Sequence, residues 1–127
     1  MDISSIYQIF LNSNKVCTDS RKIKDNDLFF SLKGPNFNGN KFANKAIKDG
    51  CRYAIIDNRE YNETNCILVN DVKSTLQDLA KFHRSQLNIP VIGITGTNGK
   101  TTTKELINNM LSSEYNCYST TGNLNNQ

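Results

Sequence analysis

The feature that most constrains this chain is an apolar segment that runs directly into a glycine-rich loop. Residues 91–95 have the sequence VIGIT, and residues 96–102 continue it as GTNGKTT. The apolar segment predicts a buried strand, and the pattern after the loop predicts a helix over about 100–112. A further short strand is predicted over 116–119, so the sequence predicts one parallel βαβ unit in this part of the chain.

The chemistry of the glycine-rich loop favours an anion. Gly96 and Gly99 permit backbone angles that direct successive N–H groups inward, and the N-terminus of the following helix adds positive potential. The Lys100 ammonium is placed to reach the β- and γ-phosphates of a nucleotide, and the Thr101 hydroxyl is placed to ligate Mg²⁺. The strict P-loop pattern has glycine at position 94, where this chain has Ile94. The alternative interpretation is a glycine-rich turn that binds no ligand.

Helices and strands also alternate in the sequence that precedes this loop. The predicted elements are a helix over 3–11, a strand over 27–32, a helix over 40–49, strands over 53–56 and 66–69, and a long helix from residue 71. Gly34-Pro35 ends the first strand, and Gly50 follows the second helix as a C-terminal stop. The apolar face of the long helix is predicted to contain Val72, Leu76, Leu79, Ala80 and Leu87.

The segment Asn88-Ile89-Pro90 marks the predicted domain boundary. Residues 1–87 predict a small α/β domain with Phe29, Leu32, Ile55 and Leu79 in its core. Residues 88–127 supply only one strand–loop–helix–strand unit, which needs neighbouring strands to complete a parallel sheet. We therefore expect a truncated piece of a longer protein.

Charge and composition exclude several classes of function. The chain has 15 basic and 12 acidic residues and a net charge of +3, without the basic cluster that a nucleic-acid-binding protein needs. No apolar stretch approaches the roughly 20 residues of a membrane-spanning helix, and the first residues do not form a signal peptide. The four cysteines are too far apart in sequence to suggest a metal site or a redox dithiol. We expect a cytoplasmic protein with reduced thiols.

Three segments of the chain resemble one protein family. The first is TDSR at residues 18–21, followed by DLFFSLKG at 27–34. The second is NFNGNKF at 36–42, and the third is the variant P-loop at 93–102. In this order and spacing the segments are similar to those of the Mur ligases of bacterial cell-wall synthesis, and they span nearly the whole chain.

The resemblance implies an ATP-dependent ligase that forms an amide bond. KE at 104–105 and TGNLNN at 121–126 are similar to the family member that adds D-alanyl-D-alanine to UDP-N-acetylmuramoyl-tripeptide. In that reaction ATP phosphorylates the terminal carboxylate to an acyl phosphate, and the amine of D-alanyl-D-alanine displaces phosphate. The implied fold is a small N-terminal α/β substrate domain over 1–87, followed by the start of a P-loop ATP-binding domain over 88–127.

Three alternatives remain open at the level of sequence. One is the related ligase that adds the third amino acid of the stem peptide, and another is a non-catalytic module that binds a UDP-sugar. The last is a regulatory or transport ATPase with an unrelated N-terminal domain, although the segments at 18–21 and 29–34 argue against it.

The resemblance also implies roles for individual residues, with Lys100 as the catalytic residue and Thr101 as the Mg²⁺ ligand. The implied ATP-binding residues are Gly96, Thr97, Asn98, Gly99, Lys100, Thr101 and Thr102. The implied substrate-binding residues are Thr18, Ser20, Arg21, Pro35, Asn36, Phe37, Asn123, Asn125 and Asn126. Two alternatives are that Asp19 and Arg21 pair with each other, and that the last three asparagines form only a turn. The implied cofactors are ATP and Mg²⁺, and a monomer is expected.

One segment departs from the family pattern. Many relatives have Asp-Gly-His where this chain has Asn38-Gly39-Asn40, so the acidic and imidazole groups are absent here. We expect the glycine to form a turn and the flanking asparagines to cap the helix that follows. His83 shares the apolar face of the long helix and is predicted to be a packing residue.

Overall fold

The structure is a computed structural model that describes residues 1–122. The chain divides into two compact units, Met1–Asn88 and Ile89–Gln127. The first unit contains α1 (Ile3–Leu11), β1 (Val16–Cys17), β2 (Leu28–Phe30), β3 (Lys33–Gly34), β4 (Phe37–Asn38), a 3₁₀ helix (Gly39–Phe42), α2 (Ala43–Lys48), β5 (Tyr53–Ile56), a 3₁₀ helix (Arg59–Tyr61), β6 (Cys66–Leu68) and α3 (Val72–Gln86). The described part of the second unit contains α4 (Lys100–Leu111).

A four-stranded parallel sheet with the order β1-β2-β5-β6 forms the centre of the first unit. Residues Leu28, Phe29 and Phe30 of β2 are all buried, although successive side chains of a strand point to opposite faces. Both faces of the sheet are therefore covered, as expected for a parallel sheet. β3 and β4 pair separately as an antiparallel hairpin.

Each face of the sheet has its own apolar cluster. The cluster that includes α1 and α3 residues contains Ile6, Tyr7, Leu28, Phe30, Ile55, Ile67, Val72 and Leu79. The cluster that includes α2 residues contains Phe29, Ala43, Ala46, Cys51, Ala54 and Ile56. The small alanines of α2 allow this helix to lie close to the sheet. The predicted α/β fold with a parallel sheet is thus confirmed.

The helix boundaries follow from local hydrogen bonds. The Asp2 carboxylate accepts from the Ser5 N–H at the start of α1, and Asp71 accepts from the Ser74 N–H at the start of α3. Gly50, which the sequence predicted as a helix stop, has φ +110° just beyond α2. In the described residues, no helix is both long and apolar enough to cross a bilayer.

Several details of the sequence prediction for the first unit were wrong. The predicted strand over 27–32 is only Leu28–Phe30, and the predicted helix over 40–49 is a 3₁₀ turn followed by the shorter α2. Ala80 is exposed and Leu87 is 37% exposed, because the buried stripe of α3 follows Val72 and Leu79. Leu32 is only partly buried, against the cluster that includes Leu28 and Phe30.

The second unit corrects two predicted strands. Its helix α4 is confirmed, but within the described residues 89–122 neither 91–95 nor 116–119 forms a strand. A parallel strand exists only through hydrogen bonds to a neighbouring strand, and the described part of this unit contains none. Several of its apolar side chains remain exposed, for example Val91 at 64% and Met110 at 75%.

Candidate functional site

Two of the predicted substrate-binding segments lie at the same edge of the parallel sheet. Residues 18–21 follow the carboxyl end of β1, and the β3–β4 hairpin follows the carboxyl end of β2. Because β1 and β2 are adjacent and parallel, both segments emerge on the same side. This is the edge at which α/β sheets bind ligands.

The acidic and basic residues of the first segment pair with each other. The Arg21 guanidinium donates two hydrogen bonds of 2.9 Å to the carboxylate of Asp19, and the Arg21 N–H donates a third of 3.1 Å. These hydrogen bonds lower the pKa of Asp19 to about 2. The side chain of Arg21 is 86% exposed, so its outer surface still faces solvent. Thr18 is exposed and Ser20 is half-buried.

The hairpin presents the second segment at its tip. Pro35 and Asn36 form an exposed turn between β3 and β4. The Phe37 ring is 49% exposed and stacks on Phe42, with 5.5 Å between ring centroids and an interplanar angle of 11°. One face of Phe37 is therefore supported from the 3₁₀ helix, and the segment offers a fixed aromatic surface.

A buried polar network that the sequence did not indicate lies below the hairpin. Asn40 is fully buried, and its Oδ1 accepts from the Asp57 N–H at 3.0 Å and from the Ser31 hydroxyl at 3.3 Å. Its Nδ2 donates to Asn38 Oδ1 and to Asp57 Oδ1, both at 2.9 Å. The amide is thus satisfied in all four directions, which fixes its orientation.

Asp57 connects this network to two further elements. Its side chain is 2% exposed, and Oδ1 lies 3.0 Å from the Lys33 ammonium at the base of the hairpin. Its Oδ2 accepts from the Val72 N–H at the start of α3, at 3.3 Å. Burial alone would raise the pKa of Asp57, but the bonds from Lys33, Asn40 and Val72 outweigh it and lower this pKa. The one sequence signal for Asp57 is an acidic residue directly after the buried strand Tyr53–Ile56.

Acid is expected to weaken the first unit through Asp57. A carboxyl whose pKa is lower in the folded than in the unfolded state stabilises the fold above its unfolded pKa, about 3.9 for aspartate. This stabilisation is lost as the pH falls through the folded pKa. We expect Asp57→Asn to lower the free energy of unfolding at neutral pH and to have a smaller effect below about pH 4. Urea unfolding at neutral pH and below pH 4 measures the two free energies, with the exposed Asp78→Asn as control. An equal loss at both pH values would mean that the ionised Asp57 carboxylate does not stabilise the fold.

Gly39 lies where no side chain fits. Its N–H donates to the Leu32 carbonyl at 2.9 Å, and an added Cβ would be 2.5 Å from that oxygen and 2.6 Å from the Ser31 carbonyl carbon. The preceding Asn38 accepts from the Asn40 N–H and caps the 3₁₀ helix. The expected cap is therefore confirmed for Asn38, although it caps the 3₁₀ helix. It is wrong for Asn40, which lies inside that helix with its amide bound to Ser31 and Asp57, while α2 begins without a side-chain cap.

His83 packs among aromatic side chains. Its Nδ1 lies 3.3 Å from the Tyr7 hydroxyl, and its ring packs edge-on against Phe10 with 5.1 Å between centroids. These contacts confirm the prediction that His83 is a packing residue, and they place it against Tyr7 and Phe10 of α1.

The glycine-rich loop of the second unit has the predicted backbone geometry. Gly96 and Gly99 have φ values of +147° and +75°, in a region that disfavours side chains. Gly99 caps α4, whose first backbone bond runs from the Thr103 N–H to the Gly99 carbonyl, so the N–H groups of the first turn point out of the helix N-terminus. The Lys100 ammonium donates to the carbonyls of Gly96 at 2.5 Å and Thr97 at 3.3 Å, and so lies across the loop.

The remaining predicted ATP-binding residues lie in this loop or directly after it. Thr97, Asn98, Thr101 and Thr102 are exposed beside it, whereas Asn123, Asn125 and Asn126 lie outside the described residues. Lys104, one turn into α4, donates to the Thr120 carbonyl at 2.5 Å and lies 3.1 Å from the Glu105 carboxylate. Residues 1–122 contain no cluster of three or more histidine, cysteine or acidic side chains that would hold a metal ion.

Two family models match this chain in succession. The model described as "Mur ligase family, catalytic domain" matches residues 13–95, and the model described as "Mur ligase middle domain" matches residues 94–127. Curated relatives include the UDP-N-acetylmuramoyl-tripeptide–D-alanyl-D-alanine ligases of Bacillus subtilis, 41% identical over 87% of this chain, and of Synechocystis, 39% identical over 90%. The chain spans about a quarter of the length of these relatives, 25% and 26% respectively.

Solved structures of ligases also match this chain. MurF ligase from Thermotoga maritima in complex with ADP matches 91% of this chain and 27% of its own, with a TM-score of 0.79 and 31% identity. A UDP-N-acetylmuramoyl-L-alanyl-D-glutamate–2,6-diaminopimelate ligase matches 80% of this chain and 22% of its own, with a TM-score of 0.52 and 28% identity.

Proposed function

Because this chain belongs to the Mur ligase family, we propose that it is the N-terminal part of an ATP-dependent ligase that joins D-alanyl-D-alanine to UDP-N-acetylmuramoyl-tripeptide. The observation that carries the proposal is the match of nearly the whole chain to relatives that bear this name. The higher TM-score of 0.79 for the MurF ligase, against 0.52 for the diaminopimelate ligase, favours it over the ligase that adds the third residue. We place the enzyme in the cytoplasm, as a monomer.

The glycine-rich loop is the proposed ATP site. The positive φ values of Gly96 and Gly99 and the N-terminus of α4 direct N–H groups toward one end of the loop, where they would bind phosphate oxygens. Lys100 already lies across this loop and would place its charge beside the γ-phosphate. Thr97, Asn98 and Thr102 complete the phosphate contacts. The ADP complex of the Thermotoga maritima ligase supports the use of ATP by this chain.

Thr101 is the proposed Mg²⁺ ligand of this chain. Its hydroxyl is a hard oxygen donor at the first turn of α4, which suits Mg²⁺. Mg²⁺ commonly retains waters and binds substrate phosphates beside one or two protein ligands, so a single hydroxyl from residues 1–122 is compatible with it. When bound, the ion would neutralise charge on the transferred phosphoryl group.

The proposed reaction brings two anions together, the substrate carboxylate and the γ-phosphate. Direct amide formation from a carboxylate is unfavourable, so transfer of the phosphoryl group first creates an acyl phosphate. The amine of D-alanyl-D-alanine then attacks the carbonyl carbon, and phosphate leaves. Lys100 and the loop N–H groups would stabilise the negative charge that accumulates during the transfer. The D-alanyl-D-alanine site and the remaining strands of the ATP-binding domain belong to the longer protein.

The UDP end of the substrate is assigned to the sheet edge of the first unit. Thr18 and Ser20 offer hydroxyls, Arg21 offers a guanidinium whose position is fixed by Asp19, and the hairpin tip at 35–37 offers an aromatic surface. Asn123, Asn125 and Asn126 are proposed to contact the substrate beside the P-loop. ATP and the UDP end of the substrate each carry their own phosphates. The enzyme therefore needs one site for ATP and a separate site for the uridine diphosphate.

Amide chemical shifts of the 127-residue chain test the separation of the two sites. We expect UDP-N-acetylmuramoyl-tripeptide to shift amides in 18–21 and 34–37, and ATP with Mg²⁺ to shift those in 96–102. Uridine diphosphate alone, which is only part of the substrate, should shift the same amides in 18–21 and 34–37. If ATP perturbed both sets equally, or if the UDP ligand perturbed neither segment of the folded first unit, the substrate assignment would be wrong.

A further inference from the structure

We propose that Asp57 is a positioning residue for the UDP substrate, which acts by holding the β3–β4 hairpin through Lys33. The inference rests on the proposed function, because the hairpin tip at 35–37 is the assigned substrate contact. Asp57 itself is buried below the hairpin and has a side chain that is 2% exposed. It therefore acts on the substrate only through the residues that it holds.

The hairpin needs such an anchor because it is very short. Its ladder consists of two residue pairs, Lys33 with Asn38 and Gly34 with Phe37. An isolated two-stranded hairpin is at best marginally stable in water. The direction in which its tip points is therefore set by contacts at its base and flank rather than by its own ladder.

Asp57 joins the hairpin base to the rest of the sheet edge. Its Oδ1 binds both the Lys33 ammonium at 3.0 Å and the Asn40 amide at 2.9 Å, and its Oδ2 accepts from the Val72 N–H. These partners belong to the hairpin, the 3₁₀ helix and α3 respectively. One carboxylate thus fixes three elements relative to the carboxyl ends of β2 and β5.

Direct contact of Lys33 with the substrate is the competing role, and it predicts a different effect of its removal. Its side chain is 47% exposed, so it is accessible to an anionic ligand as well as to Asp57. If Lys33 contacted the diphosphate directly, its removal would weaken substrate binding even without Asp57. If Lys33 acts only by holding the hairpin at Asp57, replacing Lys33, Asp57 or both residues raises the substrate KM by the same amount.

Steady-state kinetics of the full-length enzyme test this distinction. We expect Asp57→Asn, Lys33→Gln and the double variant each to raise KM for UDP-N-acetylmuramoyl-tripeptide by about tenfold, with kcat and KM for ATP within about twofold of wild type. The matched control is Asp78→Asn, which removes an α3 carboxylate that is 59% exposed and pairs with Lys81. It should leave all three constants unchanged.

Four results would overturn the proposal. One is an unchanged substrate KM in Asp57→Asn, and another is an additional loss when Lys33→Gln is introduced into that variant. Should Asp57→Asn fail to fold, Lys33→Gln at its half-exposed position takes its place, and both its substrate KM and the hydrogen exchange of its hairpin amides must rise. An unchanged substrate KM, or a raised KM with unchanged exchange, counts against the proposal. Hydrogen exchange in the 127-residue chain gives a readout without catalysis: the hairpin amides of Gly34 and Phe37 should exchange faster in Asp57→Asn, and unchanged exchange also overturns it. A different result would refute the proposed function instead: the wild-type hairpin amides show the expected hydrogen exchange, but the full-length wild-type enzyme has no ligase activity.

Discussion

Replacing Lys100 by alanine in the full-length enzyme is expected to lower ligase turnover by about 10²- to 10³-fold, the usual cost of removing one donor that stabilises transition-state charge. Lys100 begins α4, and its ammonium lies across the glycine-rich loop through bonds to the Gly96 and Thr97 carbonyls. It is therefore held where the phosphate of a nucleotide would meet the helix N-terminus. Without it, the charge of the transferred phosphoryl group would lack its nearest fixed cation.

A suitable control for Lys100→Ala is Lys81→Ala, which removes an exposed lysine from α3 with the same change in net charge. ADP release in the presence of both substrates measures turnover, and calorimetry with ATP measures binding. We expect the control to match wild type in both assays. Near-normal turnover of Lys100→Ala would refute the assignment of residues 96–102 as the ATP site.

Strands were predictable from sequence where they are buried and apolar. The β5 strand, Tyr53–Ile56, has the bounds that its apolar run predicted, because both faces of a parallel strand are buried. The two-residue β1 was missed, since Val16-Cys17 is too short to show a pattern and exists only by pairing with β2. The predicted strand at 91–95 failed for the opposite reason: it has the pattern, but the described residues of its unit offer no strand to pair with.

The candidate site was predictable from sequence only where residues adjacent in sequence determine its geometry. Positive φ values at Gly96 and Gly99 follow from the loop sequence, because glycine tolerates them best. The Asp57 carboxylate depends instead on contacts with Lys33 and Asn40, which are 24 and 17 residues away in sequence. No short motif encodes such contacts. The Asp19–Arg21 pair forms because both residues lie in one tight turn after β1, and the 86% exposed Arg21 side chain keeps its outer surface in solvent.

Gly39→Ala is expected to destabilise the first unit by about 3 kcal/mol or more, through overpacking against backbone that has no room to move. The new Cβ would lie 2.5 Å from the Leu32 carbonyl oxygen and 2.6 Å from the Ser31 carbonyl carbon. Both atoms follow directly after β2, and Ser31 is fixed further by its hydroxyl bond to the Ile55 carbonyl at 2.6 Å. Relief would require moving either the strand end or the 3₁₀ helix that carries the buried Asn40.

The hairpin supplies a matched control for this substitution. An added Cβ at Gly34 would meet no atom within 4 Å, so Gly34→Ala should change the free energy of unfolding by less than about 1 kcal/mol. For a unit of this size, a loss of 3 kcal/mol corresponds to a fall of roughly 12–24 °C in Tm. Thermal unfolding of the 127-residue chain, followed by circular dichroism, should therefore separate the two variants clearly. Equal Tm values for Gly39→Ala and Gly34→Ala would mean that the close approach of Gly39 to Leu32 does not constrain this fold.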